Sequence, residues 1–180
     1  PKGQVSTRLS GSICFVLAEN KFIEAVDKIV KSMGLPEVEY VSSALSESLY
    51  LLEPEKRDSG AILIDVGYLS TFVAYVKGDG LLNLTSFSLG GGHISADLCQ
   101  ILKISFKEAE NLKRKVVLSL AAQDDDFYEV NVGGNVTPVS AKLTNEIVSA
   151  RLDMIVELIN RCLIKMKGNN FVPIYLTGGG

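Results

Sequence analysis

The stretch that most constrains the fold runs from residue 61 to residue 93, AILIDVGYLSTFVAYVKGDGLLNLTSFSLGGGH. An apolar run carries one carboxylate, Asp65, directly before a glycine. Strands are predicted at 61–66, 71–77 and 81–88. Lys77-Gly78-Asp79-Gly80 is a tight reverse turn, which makes the second and third strands antiparallel. The loop 67–70 is short enough to make the first two a hairpin as well. Three glycines at 90–92 then precede a helix, and Gly90 and Gly91 permit positive φ and close backbone approach there.

The rest of the chain reads as alternating strands and helices. Residues 1–10 are polar. GSICFVLA (11–18) predicts a buried strand. The following segment predicts a helix, with Phe22, Ala25, Val26, Ile29, Val30 and Met33 at helical spacing, Gly34 at C′ and Pro36 as a stop. VEYV (38–41) is a short strand candidate. Residues 42–52 predict a helix with a Ser N-cap and Leu45, Leu49 and Leu52 on one side, and EPEKRDSG is a charged connector. A helix over 93–103 presents Ile94, Leu98, Ile101 and Leu102. Ser105 to Glu108 is a capping box that starts another. An acidic loop and a glycine-linked hairpin come next. The longest helix spans 144–167, with Ile147, Met154, Ile155, Leu158, Cys162 and Met166 inward and Gly168 as its end. A buried strand, VPIYLT, runs into Gly178-Gly179-Gly180. Such a strand normally leads to a helix whose N-terminus contacts a ligand, so the chain is expected to be a piece of a longer protein.

Composition excludes several classes. With 47% hydrophobic and 22% charged residues the chain fits a soluble globular protein. A net charge of -3 supplies no attraction to nucleic acid. No apolar run reaches the roughly 18 residues that span a bilayer, and the N-terminus lacks a signal-peptide core. Cys14, Cys99 and Cys162 are far apart and sit in apolar contexts, which reads as buried thiols in a reducing compartment, the cytoplasm. With His93 as the single histidine, neither a zinc site nor a Ser-His-Asp triad has usable spacing. His93 itself reads as an exposed residue at a helix start.

Four features bear on chemistry. A carboxylate at a strand end, then glycine and hydroxyls in a tight hairpin (Asp65, Gly67, Ser70, Thr71), can hold hydrated magnesium and offer amides to a phosphate; a plain turn satisfies the same pattern. Gly90 and Gly91 suit a helix entry. Glu110 and Lys113 lie three apart on one helical face, able to reach a ribose hydroxyl and an adenine ring, or to form a solvated ion pair. Gly178, Gly179 and Gly180 allow backbone approach to a ligand, or a flexible end.

In this order the features resemble the second half of the actin-like ATPase superfamily, and within it the FtsA family of bacterial cell-division proteins. The matching residues are EYVSSALSESLYLLEPEKRDSGAILIDVG, FSLGGGHISADLCQILKISFKEAENLK and PIYLTGGG. The resemblance covers residues 11 to 180, most weakly in the first forty. It implies an α/β fold with an actin-like (ribonuclease H-like) mixed sheet and helices, plus a smaller α+β subdomain: a partial actin fold. Residues 1–36 would end an inserted 1C-type subdomain and 37–60 return to 1A. Residues 61–105 and 172–180 would be 2A, and 106–171 would be 2B. ATP would lie against Asp65, Gly67, Ser70, Thr71, Gly91, Glu110, Lys113, Gly178, Gly179 and Gly180, with Asp65 on Mg2+ and no catalytic residue in this chain. Partners would be the FtsZ C-terminal peptide through 2B, further copies in filaments and other divisome proteins. Localisation would be at the inner face of the cell membrane, through a tail absent here. The alternative is another actin-superfamily ATPase: an Hsp70-like chaperone, a sugar-type kinase, or a pilus-assembly or organelle-associated relative.

The hairpin departs from the family pattern. Where Asp-x-Gly-Gly-Gly-Thr-Thr-Asp is usual, this chain has Asp65-Val66-Gly67-Tyr68-Leu69-Ser70-Thr71-Phe72. Tyr68 and Leu69 resist the φ > 0 angles open to glycine and crowd the phosphates, and Phe72 removes a carboxylate. The departures imply weakened nucleotide binding and at most a weak ATPase, a scaffold rather than an engine.

Overall fold

The structure is a computed structural model that describes residues 5, 7, 8, 11, 13–36, 38–167 and 171–180. The element order is α1 (Asn20–Ser32), α2 (Ser43–Leu51), α3 (Pro54–Asp58), β1 (Ala61–Val66), β2 (Thr71–Lys77), β3 (Gly80–Phe87), α4 (Gly91–Leu102), α5 (Phe106–Lys113), β4 (Phe127–Val132), β5 (Asn135–Ser140), α6 (Ala141–Lys167) and β6 (Ile174–Thr177). Two compact units divide the chain: Pro1–Ala61 with Ala74–Leu84, and Ile62–Val73 with Thr85–Gly180.

In the first unit α1 ends as its sequence predicts, with Gly34 at φ +75° beyond the last turn. Its apolar stripe is not a core, because no residue of α1 is buried. The strands expected at 11–18 and 38–41 do not form. A strand needs a neighbour for its N–H and C=O groups, and no described strand pairs with either segment. Ile13, Phe15 and Leu17 are accordingly exposed. In α2 the Ser42 hydroxyl accepts from Leu45 N, as a Ser N-cap should. Of the leucine stripe only Leu52 is buried, together with Ala44 and Ser48; Leu45 and Leu49 are half-buried.

The charged connector is an anchor. It folds into α3 with Pro54 in the first turn, which aims Arg57 inward. The Arg57 guanidinium is buried and donates to Leu49 O (3.2 Å), Gly78 O (3.2 Å) and Leu52 O. It also meets Asp79 Oδ1 at 2.7 Å. Asp79 is exposed, so the carbonyls at the end of α2 hold this side chain more than the ion pair does.

The larger sheet has the order β3-β2-β1-β6. β1 and β6 are parallel, with Asp65 opposite Thr177. β4 and β5 form a separate antiparallel hairpin in which Val132 pairs with Asn135. Gly133 (φ +60°) and Gly134 (φ +91°) are its two turn residues, the geometry of a type I′ turn. The fold is thus α/β with a mixed sheet. In the second unit the core is Ile94 and Leu98 from α4, Ala109 and Leu112 from α5, Val130 from β4, Ile147 and Val148 from α6, and Ile104. The stripes are narrower than the sequence predicts: Ile101 and Met154 are exposed. β6 is an edge strand, so Ile174 and Leu176 lie open where a buried strand was expected. Cys14 is exposed and Cys99 and Cys162 are half-buried, which corrects the reading of buried thiols. The Gly168 helix end lies outside the described residues. No described helix is long and apolar enough to cross a membrane.

Candidate functional site

Three glycine clusters far apart in sequence meet at the carboxyl ends of β1 and β6. Their parallel register sets Asp65 beside the chain that enters Gly178. Ligands of open α/β sheets gather at such strand ends. Gly178 has φ +119°, and a Cβ on it would lie 2.2 Å from Val66 O and 2.6 Å from Asp65 Oδ1. Gly180 N donates to Val66 O at 2.9 Å. In the β1–β2 loop Gly67 N donates to Ser70 O (2.9 Å), and a Cβ on Gly67 would stand 2.8 Å from that same oxygen. The third cluster closes the ring. Gly91 N donates to Gly67 O (3.0 Å) and Gly92 N to Tyr68 O (2.7 Å).

The glycines at 90–92 therefore serve close approach and not positive φ. Gly90 sits at φ -164°, ordinary extended backbone. A Cβ there would meet Gly67 O at 2.2 Å, and one on Gly91 would meet the Gly180 carbonyl carbon at 2.2 Å. The first two amides of α4 are consumed by loop carbonyls. His93 is half-buried rather than exposed, and its Nδ1 accepts from Gly90 N at 3.1 Å to cap the helix. Tyr68 and Leu69 also depart from expectation. Lys103 is the one described non-glycine residue at positive φ, so neither of them strains the loop. Crowding comes instead from the Tyr68 ring, whose atoms come within 2.8 Å of a Cβ placed on Gly92.

Glu110 and Lys113 are not a solvated pair. Their side chains are 20% and 13% exposed and 3.1 Å apart. Ser95 on α4, wholly buried, donates to Glu110 Oε2 at 2.5 Å. Arg114 Nε donates to Oε1 at 3.3 Å. Lys113 Nζ donates to Gly91 O at 3.2 Å, joining α5 to the helix entry. Burial pushes the Glu110 carboxyl up, but hydrogen bonds from Ser95 and Lys113, the Lys113 charge and the Arg114 bond outweigh it and hold it below its ordinary 4.5. A carboxyl lowered on folding stabilises the fold above its unfolded value and loses that contribution as pH falls through the folded one. The melting temperature of the protein is expected to exceed that of Glu110→Gln above pH 4.5, with the gap closing below it. Melts across that range check this.

Glu110, Lys113, Gly179 and Gly180 line one cavity of about 530 Å³, walled by Ile94, Val116, Leu118, Val148 and Leu152. An apolar wall with a few converging polar groups is the usual make-up of a small-molecule site. Asp65 is half-buried, and among the described residues its carboxylate has no hydrogen-bond or ion-pair partner. Ser70 is exposed at the loop tip. Thr71 stands apart: its hydroxyl is buried and donates to Leu89 O at 2.7 Å, tying the start of β2 to the segment before α4. Ser95 and the α6 wall escaped sequence reasoning, since nothing local marks a mid-helix serine as the partner of a glutamate fifteen residues on.

The model of the family described as cell division protein FtsA matches residues 62–178, more than half of the chain. The chain is 26% identical to the cell division protein FtsA of Bacillus subtilis over 187 residues, covering 99% of this chain and 42% of that protein. With its Enterococcus hirae counterpart it is 28% identical, again over 99% of this chain and 42% of the relative. The chain thus spans less than half the length of these relatives. Among solved structures it resembles MreB5 of Spiroplasma citri bound to ADP (TM-score 0.66, 18% identity, 91% of this chain and 55% of that one). It also resembles the ethanolamine utilization protein EutJ from Carboxydothermus hydrogenoformans (TM-score 0.58, 20% identity, 87% of this chain and 47% of that one). These likenesses show an actin-like fold, and with the family match over β1 to β6 the chain belongs to the FtsA family of cell-division proteins.

Proposed function

We propose that this chain carries one wall of a nucleotide site in a cell-division scaffold. In the full-length protein the scaffold holds ATP with Mg2+, links FtsZ filaments to the membrane and recruits the division machinery. One observation carries the nucleotide part: three distant glycine segments converge beside Asp65, whose carboxylate has no partner among the described residues, and a cavity that Glu110 and Lys113 share. The residues fit the group. The apolar wall suits a base, Glu110 and Lys113 suit sugar hydroxyls, and the glycines allow close backbone approach. The described residues hold no cluster of three potential metal ligands. Magnesium that arrives on phosphates uses as few as one carboxylate, the part Asp65 would take. The metal would neutralise phosphate charge beside Asp65. A solved actin-like neighbour is titled as bound to ADP, which supports the same reading.

In this reading residues 61–105 with 172–180 act as subdomain 2A, and residues 106–171 act as 2B and take the FtsZ C-terminal peptide. Residues 1–36 and 37–60 belong to the 1C-type and 1A parts. Filament formation and other divisome proteins supply the remaining contacts, and attachment to the inner face of the membrane runs through a segment outside this chain. Phe72, in place of a carboxylate, favours a slow ATPase or none.

Calorimetry on the protein at its full natural length tests the proposal. Mg-ATP should bind, and Asp65→Asn should cut the affinity about tenfold in Mg2+ but little in EDTA. Absence of binding, or an Asp65→Asn effect that ignores Mg2+, overturns the nucleotide reading. A labelled FtsZ C-terminal peptide that fails to bind the same protein overturns the partner assignment.

A further inference from the structure

The Tyr68 ring is held in an unusual place. Its backbone is pinned, because Tyr68 O accepts from Gly92 N at 2.7 Å. The ring then lies across the Gly92 Cα face and beneath the Lys113 ammonium, whose Nζ is 5.5 Å from the ring centroid. That distance is within cation–π range. An ammonium has three N–H donors, and among the described residues Lys113 has three neighbours: Gly91 O at 3.2 Å, Glu110 Oε2 at 3.1 Å and the ring, its centroid 5.5 Å away. Its side chain is only 13% exposed in consequence. Leu69, next in the loop, is 67% exposed and plays no comparable part. Gly91 O and Glu110 are fixed by α4 and by Ser95. Tyr68 is 42% exposed and, among the described residues, its ring is held by no hydrogen bond, so of these three partners of Lys113 the ring is the one free to leave.

We propose that Tyr68 is a lid on Lys113. Its ring occupies the third position of the ammonium and must swing away before Lys113 can donate to a nucleotide. The nucleotide half of this statement rests on the function proposed above. The lid regulates entry: ligand and ring compete for one cation, so apparent affinity is lowered by the fraction of molecules in which the ring is down.

Two readouts on the protein at its full natural length test the lid, in the wild type, Tyr68→Ala and Tyr68→Phe. The first is trace acetylation of Lys113 without nucleotide, mapped by mass spectrometry. The second is affinity for Mg-ATP. Tyr68→Ala should raise Lys113 labelling and ATP affinity by about two- to fivefold each, whereas Tyr68→Phe, which keeps the ring, should match the wild type. Labelling unchanged in Tyr68→Ala, or raised equally in Tyr68→Phe, overturns the lid. Raised labelling with ATP affinity equal to or below the wild type overturns the competition. Raised labelling with no ATP binding by any form supports the ring's hold on Lys113 and overturns the nucleotide reading alone.

Discussion

Gly178→Ala is expected to lose at least about 3 kcal/mol of stability, while Gly179→Ala, one residue on, stays within about 0.5 kcal/mol of the wild type. Two costs act together at Gly178. Its φ of +119° lies where L side chains are strained, and its Cβ would overlap Val66 O at 2.2 Å and Asp65 Oδ1 at 2.6 Å. Val66 O cannot retreat, because β1 is hydrogen-bonded in the sheet and this oxygen also accepts from Gly180 N. A Cβ on Gly179 meets nothing within 4 Å. Urea melts of the two variants compare them directly. Equal midpoints would show that the Asp65–Gly178 approach is not tight in solution. If the proposed nucleotide reading holds, Gly178→Ala in the full-length protein also loses ATP binding, since displaced Asp65 no longer faces the glycine loops.

Leu98→Ala is expected to cost about 3 kcal/mol, within the usual range for deleting a buried leucine side chain. Leu98 is fully buried and packs in the cluster that joins α4, α5, β4 and α6. The void would open between helices pinned by the Arg151–Asp97 pair, with its hydrogen bonds of 2.6 and 2.9 Å, which limits collapse. Ile101→Ala on the same helix removes as large a side chain but should cost well under 1 kcal/mol, because Ile101 is 52% exposed. The pair separates true core from apolar pattern. Similar losses at both positions in thermal melts would mean that something covers Ile101 in solution.

Much of the second unit was legible because its signals are local. The Ser105 cap, the Gly-Gly hairpin and the helical spacing in α4 to α6 each act within a few residues. Strands are a different matter. The 11–18 segment has the composition of a strand, yet a strand exists only when another supplies its hydrogen bonds, and none of the described ones does. Arg57 shows the converse. A residue in a polar stretch became a buried anchor because the carbonyls of Leu49 and Leu52 at the end of α2 and of Gly78, twenty-one residues on, converge on it.

The candidate site divides along the same line. From its sequence alone, this protein's Asp65 at a strand end, its three glycine clusters and its Glu110–Lys113 pair could be singled out, since residue type and order carry that information. Only the tertiary structure decided what each does. Gly90 and Gly91 are small because the Gly67 and Gly180 carbonyl groups come within 2.2 Å of where a side chain would begin, and Gly92 because the Tyr68 ring comes within 2.8 Å. The Thr71 hydroxyl donates to Leu89 O. Tyr68 proved unstrained, with its ring 5.5 Å from Lys113 Nζ. Each outcome depends on distances between segments far apart in the chain, from the eighteen residues between Thr71 and Leu89 upward, which no local pattern encodes.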